Sequence, residues 1–305
     1  MTIAISVKIN DGLVLATDSA STLLGQTPQG QLQVVKVYDN ANKLFNLRKG
    51  FPIGAITWGA GSIGLASIST IVKDLRKRFT DGHPKEDGWK LDENSYTVGD
   101  VAKRFKEFVF DDLYETAFKD LPHQKPSLGF IVAGYSANSP TAEEYQIDIQ
   151  NGACSGPRLL RKQDEVGATW AGDLEALNRV FVGYSSMLPP LLQAQTGVQP
   201  AQFNLALTNI APQLQLQAVL PAMPLKDAIE LAEFMVDLTI KFVRFRPGPQ
   251  TVGGPIEVAA ISKHEGFRWV KRKYYFEGKL NPDDRYKRIY VPDERKKEMK
   301  GGTTL

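Results

Sequence analysis

Threonine stands directly behind Met1, and that position lets one residue carry two chemical functions. Methionine aminopeptidases remove an initiator methionine when the next side chain is small, and threonine qualifies. Removal would leave Thr2 with a free α-amino group beside its own hydroxyl. An α-amino group has a reference pKa of about 7.7–8.0, close to what a general base needs at neutral pH. The hydroxyl then acts as nucleophile and the amine as its base, the threonine/N-terminal-amine arrangement. Such an oxygen needs a fixed position, so the expectation is a rigid strand starting at Thr2. Taken alone, a threonine at position 2 is far more often ordinary.

The elements that follow supply that strand. Ile3, Ile5 and Val7 alternate with Ala4, Ser6 and Lys8, the period of two expected of a β-strand. Asp11-Gly12 signals a hairpin, and Leu13 to Ala16 returns as a buried-type strand. LLGQTPQGQLQ reads as a loop or flexible hairpin. NKLFNL and PIGAITWGA read as a second strand pair. Ile63, Ile68, Ile71, Val72, Leu75 and Phe79 then recur at helical spacing. A second helix is predicted over TVGDVAKRFKEFVFDDLYETAF, capped by Thr97 or Asp100. SLGFIVAGYS and EEYQIDIQNG form another strand pair, and GDLEALNRVFVGY starts a third helix. Residues 185–225 read as interrupted helix. LKDAIELAEFMVDLTIKFVRF is the clearest helix, acidic early and with Lys241 and Arg244 late, as the macrodipole favours. PIEVAAIS and GFRWVKRKYYF are the closing strands. Strand runs alternating with paired helices predict an α+β chain built on antiparallel sheets.

Composition narrows the chemistry. The chain has 305 residues, a formal net charge of +3 and 23% charged residues, a balance that does not point to nucleic acid or an anionic membrane. Cys154 is the one cysteine, and the three histidines, His83, His123 and His264, are far apart. An intramolecular disulfide and a Cys- or His-based metal site are therefore not expected. No apolar run reaches bilayer length, and the opening lacks the layout of a signal peptide. These readings place the protein in a reducing cytoplasm.

TIAISVKINDGLVLATDSAST resembles the first strand pair of proteasome β-type subunits and their bacterial relatives, threonine peptidases of the N-terminal nucleophile hydrolase family. The resemblance covers most of residues 2–270 and carries four positions across. Thr2 matches the nucleophile. Asp18, in ATDSAST, matches the aspartate after the apolar strand. Lys43, in NKLFNL, matches the catalytic lysine, with Lys36 as its rival in the long preceding loop. Gly59, in TWGAGS, matches the glycine whose N–H lines the oxyanion site. Lys43 would lower the proton affinity of the Thr2 amine and hydroxyl, Asp18 would orient Lys43, and N–H groups at the helix start after Gly59 would meet the oxyanion. Ala20 stands where the family has arginine. For the family's assisting Ser-Asp-Ser set this sequence offers Thr169 or Asp173, and Thr251.

The resemblance implies a four-layer αββα sandwich of two antiparallel sheets flanked by helices. It implies a single domain over residues 1–280 with an insertion around 185–225, followed by a charged, mobile tail over 281–305. It implies a threonine peptidase without propeptide, metal or cofactor, acting on peptide or unfolded-protein substrates. A homo-oligomeric ring, served by an ATPase unfoldase, would be its setting, with Ile68, Ile71 and Val72 packing against neighbours. A small-molecule amidase of the same superfamily and a catalytically silent scaffold are the competing readings.

Overall fold

The computed structural model describes residues 2–27, 31–121 and 125–274. Met1–Arg272 forms one compact unit; of a second unit, Lys273–Leu305, only Lys273 and Tyr274 are described, so the expected tail over 281–305 lies outside the described residues.

The first sheet contains β1 (Ile3–Ile9), β2 (Gly12–Thr17), β12 (Gly167–Gly172), β13 (Glu257–Ser262) and β14 (Gly266–Lys271), in the order β12-β1-β2-β13-β14. The second contains β5 (Leu44–Asn46), β6 (Ile53–Gly59), β9 (Leu128–Tyr135), β10 (Ala142–Gln150) and β11 (Ala153–Leu159), in the order β11-β10-β9-β6-β5. Every neighbouring pair is antiparallel. The structure is thus α+β with antiparallel sheets, as the alternation of strand runs and helix pairs predicts.

Ala4, Leu13, Leu15, Ala259 and Ile261 of the first sheet share a core with Leu44, Ile56, Ile131 and Ala133 of the second. The other face of the first sheet, with Ile3, Ile5, Val7, Val14 and Val258, packs on Ala228, Ala232, Met235 and Val236 of α7 (Leu225–Phe245). The other face of the second sheet packs on α1 (Ile68–Asp81) and α2 (Val98–Lys106). The period of two in β1 therefore does not separate core from solvent. All seven residues of the strand are buried, because both faces of its sheet are covered. The polar face is satisfied internally: Ser6 donates to Glu144 Oε1 at 2.5 Å, and the Lys8 ammonium donates to the carbonyl of Lys162 at 2.7 Å. Burying those groups without partners would cost several kcal/mol at ~2–7 each.

Two local alternatives resolve and one local reading changes. For LLGQTPQGQLQ the hairpin alternative holds: β3 (Ser21–Gln26) pairs antiparallel with β4 (Leu32–Tyr38). The first helix starts at Ile68, not near Ile63. Ile63 lies in a small hairpin, β7 (Ser62–Ile63) with β8 (Ala66–Ser67), and Ser67 caps the helix by accepting from the Thr70 N–H. Thr97, not Asp100, caps α2: its hydroxyl accepts from the Asp100 N–H at 3.0 Å. The same hydroxyl donates to the Asp100 carboxylate, which holds that carboxyl below its usual range. Beyond α2 the backbone widens into π-helical turns over Glu107–Tyr114 before α3 (Glu115–Phe118).

Ile68, Ile71 and Val72 are consumed by the core beneath α1, so they do not offer the surface expected to meet neighbours. Exposed apolar side chains sit instead on α5 (Leu188–Thr196) and α6 (Pro200–Leu214), which follow α4 (Glu175–Leu177) and a π-helical turn at Asn178–Val182. Neither α5 nor α6 has a buried residue, and Leu191, Leu205 and Ile210 are at least half exposed. Among the described residues no helix is long and apolar enough to cross a membrane.

Candidate active site

Thr2 precedes β1 and is gripped by the strand on its far side. β12 pairs with β1 so that Ile3 faces Gly172, and the Asp173 N–H donates to the Thr2 carbonyl at 2.8 Å. The grip leaves no room for a side chain at Gly172. Its φ is +102°, and a Cβ there would lie 1.9 Å from the Thr2 carbonyl oxygen. Thr2 itself is 4% exposed and lines a cleft of about 900 Å³, within the range of about 300–1,000 Å³ usual for ligand sites.

Asp18 follows β2 and is wholly buried. Its Oδ1 accepts from the Lys43 ammonium at 2.7 Å and from the Ile3 N–H at 3.1 Å. Its Oδ2 accepts from the Ala20 N–H at 3.1 Å and the Gly253 N–H at 3.0 Å. Four donors therefore compensate one buried charge, the condition under which a carboxylate can be buried. They also tie four chain segments together: the start of β1, the turn after β2, the approach to β5 and the approach to β13. A carboxylate so occupied holds its neighbours in place.

Lys43 enters the cleft from just before β5, and the Thr57 N–H of β6 donates to its backbone carbonyl at 3.0 Å. Because Lys43 and the Ile3 N–H share one carboxylate oxygen, the ammonium is held beside the backbone that carries Thr2. The rival Lys36 is exposed on β4 and does not line the cleft.

Gly59 ends β6 and also lines the cleft. Its φ is +88°, and a Cβ would meet the Ser127 carbonyl oxygen at 2.4 Å, so only glycine fits. The helix expected right after it is displaced by the β7–β8 hairpin. The N-terminus of α1 still reaches the cleft, through Ser67, Ile68, Ser69 and Thr70.

The three alternatives for an assisting set separate. The Thr169 hydroxyl accepts from Arg161 at 2.7 Å, within the network around Glu144, and is not in the cleft. Asp173 holds Thr2 through its N–H, while its carboxylate accepts from Arg246 at 2.9 Å. Thr251 lines the cleft, is 4% exposed, and its Oγ1 has no hydrogen-bond partner among the described residues. Among the described residues lining the cleft there is no carboxylate, and no cluster that could hold a metal ion occurs among the described residues.

Four contributors were not anticipated from the residues: Gly172, the backbone N–H groups of Asp173 and Gly253, and Arg246. The small-Gly-Asp run in WAGD, directly before the predicted third helix, is the one available signal.

No family model and no curated protein matches the chain. Among solved structures the chain is similar to a Gly-1 mutant of Anbu from Hyphomicrobium sp. strain MC1, at 13% identity and a TM-score of 0.49, the alignment covering 100% of this chain and 99% of that one.

Proposed function

We propose that the chain is a threonine-type amide hydrolase of the N-terminal nucleophile class, acting on peptides, with its two sheets and flanking helices arranged as the class's four-layer αββα sandwich. The observation that carries the reading is the shared carboxylate oxygen. Asp18 Oδ1 joins the Lys43 ammonium to the Ile3 N–H, while Thr2, Lys43 and Gly59 line one cleft.

In this reading Met1 is removed. The Thr2 Oγ attacks the amide carbonyl carbon as its proton passes to the Thr2 amine. Lys43 favours the unprotonated amine and the developing negative charge. The Gly59 N–H receives the carbonyl oxygen as it becomes an oxyanion. Collapse breaks the carbon–nitrogen bond, the amine returns a proton to the leaving nitrogen, and water cleaves the remaining ester.

The test joins mass and reactivity. The intact mass is expected to be lower than that of the full sequence by one methionine residue, with Thr2 at the new terminus. A peptide epoxyketone, which needs both the hydroxyl and the amine, is expected to label wild-type protein at Thr2. Thr2→Ala should lose that label entirely. Met1 retained in every molecule, or labelling that persists in Thr2→Ala, refutes the assignment.

Among the described residues no carboxylate lines the cleft, which favours a second reading, a catalytically silent scaffold, for which retained Met1 is the predicted result. A homo-oligomeric ring belongs to the first reading. The uncharged, exposed face of α5 and α6 supports self-association, and sedimentation velocity returning monomer alone would remove the ring from it.

A further inference from the structure

Resting on the hydrolase reading, we propose that the cleft selects peptides with an acidic side chain next to the scissile bond, and that Lys73 is the residue that selects them. The first support is the charge of the lining. Lys43 and Lys73 both line the cleft, and no described carboxylate does. Lys43 is already matched by buried Asp18. Lys73 is exposed and makes no ion pair among the described residues. Among the described residues the lining therefore carries one positive charge more than is neutralised.

The second support is the element that presents it. Lys73 lies on α1, one turn in from the helix N-terminus that opens onto the same cleft, and α1 has no acidic residue in its first turn. The positive end of the helix dipole and the ammonium thus point to the same kind of guest, an anion. A peptide with an acidic side chain meets that demand, its carboxylate serving Lys73. A basic side chain would meet repulsion with no compensating acid.

Binding and turnover are to be measured separately. Two fluorescein-labelled hexapeptides, identical except for one Glu or Gln before the scissile bond, are titrated against Thr2→Ala protein, which binds without cleaving. The Glu peptide is expected to bind about tenfold more tightly at low salt, with the margin shrinking as ionic strength rises. Adding Lys73→Glu should abolish or reverse the margin. Adding Lys263→Glu, the same charge change at an exposed site outside the cleft, should leave it intact. Equal binding of the two peptides, no binding of either, or a margin that survives Lys73→Glu overturns the proposal. Wild-type hydrolysis of the same peptides is read in parallel. A margin without hydrolysis removes the hydrolase reading and leaves acidic recognition standing, whereas hydrolysis without a margin does the reverse.

Discussion

Asp18→Ala is expected to cost about 3–5 kcal/mol of stability, the range seen when one partner of a buried ion pair is removed. The substitution leaves a buried ammonium and three backbone N–H groups without their acceptor. Against a total of about 5–15 kcal/mol for an ordinary domain, that is a large share. Asp18→Asn should be nearly as harmful. The amide keeps the shape, but its NH2 must face either Lys43 and Ile3 or Ala20 and Gly253, and both pairs are donors. Lys43→Met separates structure from chemistry. It leaves Asp18 with its three N–H bonds, so the stability loss should be smaller, while epoxyketone labelling of Thr2 should fall at least a hundredfold. Urea unfolding midpoints at unchanged slope read the first quantity, and labelling rates read the second. A midpoint for Asp18→Ala within experimental error of wild type would mean the carboxylate is not the tie described here.

Gly172→Ala is the other large effect. Any L-residue at φ +102° is strained, but strain is only part of the cost. The new Cβ would fall 1.9 Å from the Thr2 carbonyl oxygen and 2.8 Å from its carbonyl carbon, and these are backbone atoms that cannot swing aside. Either β12 separates from β1 or Thr2 is pushed out of place. Gly50→Ala is the internal control, because Gly50 has φ +85° and nothing within 4 Å of the added carbon. It should lose about 1–2 kcal/mol from left-handed strain alone. Gly172→Ala should lose clearly more, and its Thr2 labelling should collapse even at temperatures where the variant is folded. Equal losses for the two variants would show that the contact with Thr2 relaxes without consequence.

The parts of this architecture that could be read in advance are those specified by neighbours in the chain. Ile3, Ile5 and Val7 with Asp11-Gly12 announce the β1–β2 hairpin, and the apolar spacing of residues 225–245 announces α7. The unanticipated parts have weak local signals. GATWAG is short, begins and ends in glycine and shows no clean alternation, yet it is a strand because β1 offers it a partner. ACSGPRL carries a Gly-Pro pair and survives as a strand at the edge of its sheet, where a missing donor is tolerated. The helix after Gly59 begins late because the β7–β8 hairpin precedes the Ser67 cap, although Ile63 fits the helical period.

The amino-acid order alone determined the residue types available for chemistry: a threonine behind the first methionine, an aspartate after an apolar strand, a lysine before the next strand pair, and a glycine closing that pair. Tertiary structure alone decided that the same carboxylate oxygen serves Lys43 and Ile3, that Gly172 and Asp173 clasp Thr2, and that Lys73 lines the cleft with no ion-pair partner among the described residues. The reason is physical. Periodicity and turn chemistry act over a few residues, whereas a buried charge is satisfied by whatever donors the fold brings to it, here from positions as distant in sequence as Ile3 and Gly253.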